Sequence, residues 1–114
     1  MPANSPLVAC LCAAWCQTCD GYNEVFAALG QANPGLRFIW IDIEDEAELV
    51  GDVDVETFPT LLIGIGGELR FIGPVTPQLG TAQRLLDSAL ASSLAAPAPA
   101  ALALLARLQK KILL

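Results

Sequence analysis

At 114 residues the chain is long enough for one domain with a hydrophobic core and too short for two. Its net charge of −6 argues against a nucleic-acid partner, because phosphate backbones are bound by basic surfaces. The sequence contains no histidine, which excludes Cys-His and Ser-His catalysis and every zinc site that uses an imidazole. No apolar run approaches the ~20 residues of a membrane span, so a membrane partner is not expected.

The first half of the sequence predicts alternating strands and helices. An apolar run at residues 7–12 predicts a strand, and helical periodicity follows over residues 16–31. A second strand is predicted at 36–43, rich in aromatic and β-branched residues, and an acidic short helix follows at 45–53. This alternation is typical of a parallel crossover unit.

The second half predicts an antiparallel hairpin, a long helix and a tail. Gly66-Gly67 suits a tight turn because both residues accept a positive φ, and Gly73-Pro74 is expected to end the hairpin. Two strands are expected at residues 60–65 and 68–72, and a helix is expected at 77–95. An Ala/Pro-rich linker follows at 95–100, and a short amphipathic helix at 101–114.

The linker places the expected domain boundary after residue 94, with residues 1–94 as the folded domain and 95–114 as linker and tail helix. The tail helix has leucines on one side, and Arg107 falls on its polar side. Three interpretations of it stay open: a disordered end, a cover for an exposed apolar surface of the domain, or the interface of a homodimer.

Two of the four cysteines, Cys16 and Cys19, are separated by two residues at the start of the first predicted helix. A cysteine at a helix N-terminus lies among unpaired N–H groups and at the positive end of the helix dipole, which both favour its thiolate. Its partner lies one turn further in, close enough to close a small ring. The spacing therefore indicates a redox site better than it indicates two packed thiols.

Three segments of the sequence resemble the thioredoxin family: Trp15-Cys16-Gln17-Thr18-Cys19, Trp40-Ile41-Asp42-Ile43-Glu44 and Phe58-Pro59-Thr60. The resemblance covers about residues 7–94. It implies a thioredoxin-like α/β fold, which is a mixed four-stranded sheet with helices on both faces. The first strand and helix of a full thioredoxin are expected to be absent.

The resemblance also implies a role for individual residues. Cys16 corresponds to the nucleophile and Cys19 to the resolving cysteine, while Trp15, Phe58 and Pro59 correspond to substrate-binding positions, with Pro59 in the cis form. The implied activity is the reduction of protein disulfides through a Cys16–Cys19 dithiol/disulfide cycle. The implied partners are a disulfide-containing protein and an electron donor such as a thioredoxin-reductase-like enzyme or glutathione. No cofactor and no metal are expected.

Two positions depart from the family pattern. Cys10 stands where the family has a buried acid, and Trp40 stands where it has the lysine that pairs with that acid. Cys10 is therefore a candidate accessory thiol that could exchange disulfides with Cys19. Plain core packing is the favoured interpretation of Cys10 and Cys12, and a zinc site made of four thiolates is a distant one.

Two classes of function stay open. The leading one is a thiol–disulfide oxidoreductase, and the alternative is a non-catalytic interaction or redox-sensing module with the same fold. Residues 1–6 show no signal peptide, so a cytoplasmic location is expected. In that reducing compartment paired cysteines are more often catalytic than structural, which favours a reductase.

Overall fold

The structure, a computed structural model, describes residues 6–13, 17–51, 59–65, 68–75, 78–91 and 99–113. Its elements in chain order are β1 (Leu7–Cys12), α1 (Gln17–Ala32), β2 (Arg37–Asp42), α2 (Ala47–Val50), β3 (Thr60–Ile65), β4 (Glu68–Pro74), α3 (Leu79–Ala91) and α4 (Pro99–Leu113). None of the helices in this part of the chain is both long and apolar enough to cross a lipid bilayer.

The four strands form one mixed sheet in the order β2-β1-β3-β4. β1 and β2 are parallel because α1 crosses over between them, and the β1–β3 and β3–β4 pairs are antiparallel. This confirms the predicted mixed four-stranded sheet with helices on both faces. The hairpin ends at Gly73-Pro74 as expected, although β4 includes these two residues and is therefore longer than the predicted 68–72; Pro74 pairs with Thr60. A proline is tolerated there because β4 is an edge strand.

The central strand β1 is buried along its whole length, because helices cover the sheet on both sides. Its side chains alternate between the two faces. One face takes Val8, Cys10 and Cys12, and the other takes Leu7, Ala9 and Leu11.

The face covered by α1 and α3 carries three of the four cysteines, Cys10, Cys12 and Cys19, and is called the thiol face below. On it, the Phe26 ring meets Trp40 edge-on, with ring centroids 5.8 Å apart. The other buried side chains of this core are Val8, Tyr22, Leu29, Leu61, Ile63, Ala82, Leu86 and Ala89.

The opposite face, called the α4 face below, is covered by the C-terminal helix. Leu104, Leu105 and Leu108 are fully buried against the apolar side chains of the sheet. Of the three interpretations left open for the tail helix, the structure shows the second, in which the helix covers an apolar surface of the domain. The helix begins at Pro99, two residues earlier than the periodicity predicts.

Close approach of α4 to the sheet depends on a glycine in β3. A Cβ built on Gly64 would lie 2.6 Å from a methyl carbon of Leu105, well inside van der Waals contact. A side chain at this position would therefore force the buried Leu105 side chain to shift, and it would also crowd the backbone carbonyl of Glu68 at 3.2 Å.

Arg107, on the polar side of α4, attaches this helix to α2. Its Nε donates to the carbonyl of Leu49 at 2.6 Å and its Nη2 to the carbonyl of Val50 at 3.0 Å. These carbonyls belong to the last turn of α2, where no intrahelical donor remains for them. Gly51 follows with φ 63°, and a Cβ there would lie 2.7 Å from the same guanidinium.

Candidate functional site

The candidate site lies where β1 ends and α1 begins. Cys12 is the last residue of β1, and Cys19 lies in the first turn of α1. A disulfide joins the two, with their Cα atoms 5.9 Å apart. This separation falls within the roughly 4.4–6.8 Å that a disulfide spans. Because both residues are only 1% and 2% exposed, the bond is part of the core.

The sequence predicts Cys16, and not Cys12, as the disulfide partner of Cys19. Cys16 lies outside the described residues, so the Cys16–Cys19 pair stays a prediction. The interpretation of Cys12 as a cysteine that only packs was wrong, since it is bonded to Cys19. A seven-residue separation matches no short redox motif. The signal available in the sequence was that Cys12 is the last residue of its strand and faces the helix that follows.

Cys10 is a free thiol beside this bond. Its Sγ lies 3.6 Å from the Sγ of Cys12, and it donates its proton there because a disulfide sulfur carries none. Burial raises the pKa of Cys10 to about 12, so at neutral pH it is a protonated, unreactive thiol. In this structure the bond to Cys19 is made by Cys12, and the accessory role of Cys10 stays a prediction.

Tyr22, one turn after Cys19 on α1, completes the surroundings of the thiols and was missed from the sequence. It is fully buried, and its hydroxyl meets no hydrogen-bond partner among the described residues. Burial, and to a smaller extent the charge of a Cys10 thiolate, raise the pKa of Tyr22 to about 12. The phenol therefore stays neutral at physiological pH.

The start of β3 lies at the same end of the sheet as the disulfide. Thr60 pairs with Leu11, which precedes Cys12 in β1. Pro59 is buried immediately before this strand, and its carbonyl accepts a hydrogen bond from the Val75 N–H at 3.0 Å. The fold thus brings the predicted proline to the cysteine end of the sheet. Its cis form stays a prediction.

The other two predicted substrate-binding residues, Trp15 and Phe58, lie outside the described residues. Their roles stay predictions.

The two departures from the family pattern lie side by side in the sheet. The register of β1 and β2 pairs Cys10 with Trp40, so a thiol and an indole occupy the places of an acid and a lysine. Trp40 is half-buried and packs on Phe26. Neither side chain can serve as a general base at neutral pH, and the proton of Cys19 has no carboxylate acceptor at these two positions.

Metal ligation was the third interpretation of the cysteines. In the part of the chain that the structure describes, no group of three or more cysteine, aspartate, glutamate or histidine side chains is arranged to hold a metal ion.

The sheet order, the helices on both faces and the cysteine pair that joins the end of β1 to the start of α1 define a protein of the thioredoxin-like class. The family model for thioredoxin matches residues 2–80. The chain belongs to the thioredoxin family.

Individual relatives and solved structures agree with this assignment. The chain is 30% identical over 66 residues to the mitochondrial thioredoxin-3 of Saccharomyces cerevisiae, covering 58% of this chain and 52% of that protein. The crystal structure of the oxidised form of mitochondrial thioredoxin 3 from the same yeast superposes with a TM-score of 0.65 at 24% identity, covering 75% of this chain and 79% of the other.

The thioredoxin of Fasciola hepatica superposes with a TM-score of 0.67 at 18% identity, covering 75% of this chain and 81% of the other. At these identities the structural matches establish the fold alone. The chain spans about half the length of the curated relatives it matches, or less.

Proposed function

We propose that the chain is a thiol–disulfide oxidoreductase that reduces protein disulfides, with Cys16 as the nucleophile and Cys19 as the resolving cysteine. The observation that carries the proposal is the position of Cys19. Its sulfur lies in the first turn of α1, already in a disulfide, in a chain of the thioredoxin family. A buried cysteine that only packs would not need a second sulfur within bonding distance.

In the proposed reaction the Cys16 thiolate attacks one sulfur of a substrate disulfide. A mixed disulfide forms and the other substrate sulfur leaves as a thiolate. The Cys19 thiolate then attacks the Cys16 sulfur, which releases the second substrate thiolate and leaves a Cys16–Cys19 disulfide. Cys10 and Trp40 supply no base for the second step, so we expect it to accelerate with pH as more Cys19 becomes a thiolate.

The proposed partners follow from this chemistry. The substrate is a protein disulfide, and electrons return to the chain from glutathione or from a thioredoxin-reductase-like enzyme, with the cytoplasm as the proposed location. A homodimer through the leucines of α4 is not part of the proposal, because Leu104, Leu105 and Leu108 are buried by the chain's own sheet.

Reduction of insulin disulfides in the presence of dithiothreitol tests the proposal. We expect the wild-type chain to accelerate precipitation of the insulin B chain, and Cys16→Ser to abolish the acceleration. Cys10→Ala is the matched control, because its thiol is buried, protonated and outside the disulfide. An inactive wild type that still cycles between thiol and disulfide forms would contradict the proposal and favour the redox-sensing module.

A further inference from the structure

We propose that Cys19 has two alternative disulfide partners, Cys16 and Cys12. Exchange between them moves the oxidised bond from the Cys16–Cys19 form made during turnover to the buried Cys12–Cys19 form. This inference rests on the proposed function, and it makes Cys12 a third redox-active residue of that site.

The first argument is that the fold itself holds Cys12 and Cys19 within bonding distance. Cys12 is positioned by the sheet, where it pairs with Asp42 of β2, and Cys19 is positioned by the first turn of α1. Their Cα atoms are 5.9 Å apart, and both side chains belong to the core of the thiol face. Forming this bond therefore requires no rearrangement of a strand or helix.

The second argument is that a sulfur takes only one disulfide partner. While Cys12 holds Cys19, the Cys16–Cys19 bond cannot exist. The two oxidised forms are mutually exclusive, and they differ in which thiol is left free. In the Cys12–Cys19 form the proposed nucleophile Cys16 is released from Cys19.

The exchange balances without any further oxidant. The Cys12 thiolate attacks the Cys19 sulfur of a Cys16–Cys19 disulfide, so that the Cys12–Cys19 bond forms, the Cys16–Cys19 bond breaks and Cys16 leaves as a thiolate. The proton lost by Cys12 is taken up by solvent or by Cys16. The oxidation state of the chain is unchanged, since the two electrons have already gone to the substrate disulfide.

Burial gives the second form a distinct property. Attack on a disulfide requires access to a sulfur, and Cys12 and Cys19 are 1% and 2% exposed. External thiols are therefore expected to reach this bond slowly, and Cys16, three residues from Cys19 in the sequence, is the proposed internal attacking thiol. Cys16 becomes the internal reductant through which the buried bond is reopened.

Disulfide mapping of the oxidised full-length chain tests the proposal. The chain is oxidised with glutathione disulfide, trapped with N-ethylmaleimide, digested and analysed by mass spectrometry. We expect a Cys12–Cys19 bond with a labelled Cys16 in the wild type and in the control Cys10→Ala. In Cys12→Ala, and in Cys12→Val as a second variant, we expect only Cys16–Cys19. A wild type that holds only Cys16–Cys19 would overturn the proposal, and that measurement needs no variant to fold.

A kinetic measurement tests the role of Cys16 in reopening the bond. In Cys16→Ser the Cys12–Cys19 bond should be reduced by dithiothreitol about tenfold more slowly than in the wild type, or slower still, because the internal thiol is missing. Equal rates would contradict the relay. Insulin reduction by the same wild-type sample separates the two proposals. Turnover without a Cys12–Cys19 bond defeats only the exchange, whereas absent turnover defeats the proposed function.

Discussion

The two faces of the sheet are built from alternate residues of the same strand, yet they hold different chemistry. On the thiol face, β1 contributes Cys10 and Cys12, which meet Cys19 and Tyr22 from α1. Among the described residues, the hydrophobic core of the α4 face consists of aliphatic side chains, with Arg107 and the buried Arg37 at its margin. The described thiols thus lie on one face, and the other face is built mainly from aliphatic packing.

This difference shows which part of the molecule stabilises the fold when thiols occupy part of the core. Cysteines bury less apolar surface than leucines, and the buried Tyr22 hydroxyl, which meets no partner among the described residues, costs free energy if it stays unpaired. The α4 face offsets this with Leu104, Leu105 and Leu108, all fully buried. The comparison predicts that changes on the α4 face act on stability and changes on the thiol face act on redox chemistry.

Removing α4 should have the largest effect. Three fully buried leucines are worth roughly 5–9 kcal/mol at about 1.5–3 kcal/mol each, which is comparable to the stability of a small domain. Deleting residues 99–114 should therefore leave a chain without a cooperative unfolding transition in urea. Leu102→Ala is the control. Because the Leu102 side chain is exposed, this variant should unfold at a urea concentration close to the wild-type midpoint. An unchanged midpoint in the deletion would refute the covering role of α4.

Arg107→Met should have the next largest effect, a loss of about 1.5–3 kcal/mol, because two carbonyls at the end of α2 lose charged hydrogen bonds. Methionine keeps the apolar stem of the side chain. Arg84→Met is the matched control, because Arg84 is exposed on α3. Chemical denaturation compares the two. Equal losses in both variants would show that the contact with α2 contributes nothing.

Gly64→Ala should cost about 1–3 kcal/mol through overpacking of Leu105. Gly21→Ala is its matched control, because nothing lies within 4 Å of a Cβ at that helical position. The control should gain up to about 1 kcal/mol from helix propensity. Thermal unfolding of the two variants should move in opposite directions. Destabilisation of both variants would contradict the close approach of α4 to β3.

The smallest predicted effect concerns pH and the thiol face. The pKa of Cys10 is raised from 9.0 to about 12 in the folded chain, so the folded state keeps a proton that the unfolded state loses between these values. The resulting stability is complete below pH 9 and is lost as pH rises toward the folded pKa. Tyr22 acts in the same direction.

Cys10→Ala removes the contribution of the thiol and leaves the part of the Tyr22 contribution that comes from burial. Between about pH 8 and about pH 10, the free energy of unfolding should therefore fall less steeply in the variant than in the wild type. Urea denaturation of both oxidised chains at the two pH values measures this. If the free energy of unfolding falls equally steeply with pH in the variant and in the wild type, the burial of the Cys10 thiol does not raise its pKa.

Much of the fold was predictable, because each element has a strong local pattern. The apolar run of β1 and the periodicity of α1 and α3 predicted elements at the observed positions. The order of strands and helices predicted the parallel pair and the hairpin. Family resemblance then placed Pro59 at the cysteine end of the sheet.

What could not be predicted depends on contacts between distant segments. Amphipathicity shows that α4 has an apolar face, but it does not say which surface that face covers. Arg107 has polar partners in α2 that lie 57 and 58 residues away in the sequence. Cys12 was assigned to packing because its pairing with Cys19 arises only when α1 folds over the end of β1.

The measurement that tests the separation of the two faces most directly is a comparison of Leu105→Ala with Cys19→Ala. Each variant is assayed under reducing conditions for its free energy of unfolding and for insulin reduction per folded molecule. Leu105→Ala should lose about 2–5 kcal/mol of stability and keep its turnover. Cys19→Ala should lose turnover with a smaller loss of stability. A folded Leu105→Ala variant without turnover would contradict the account.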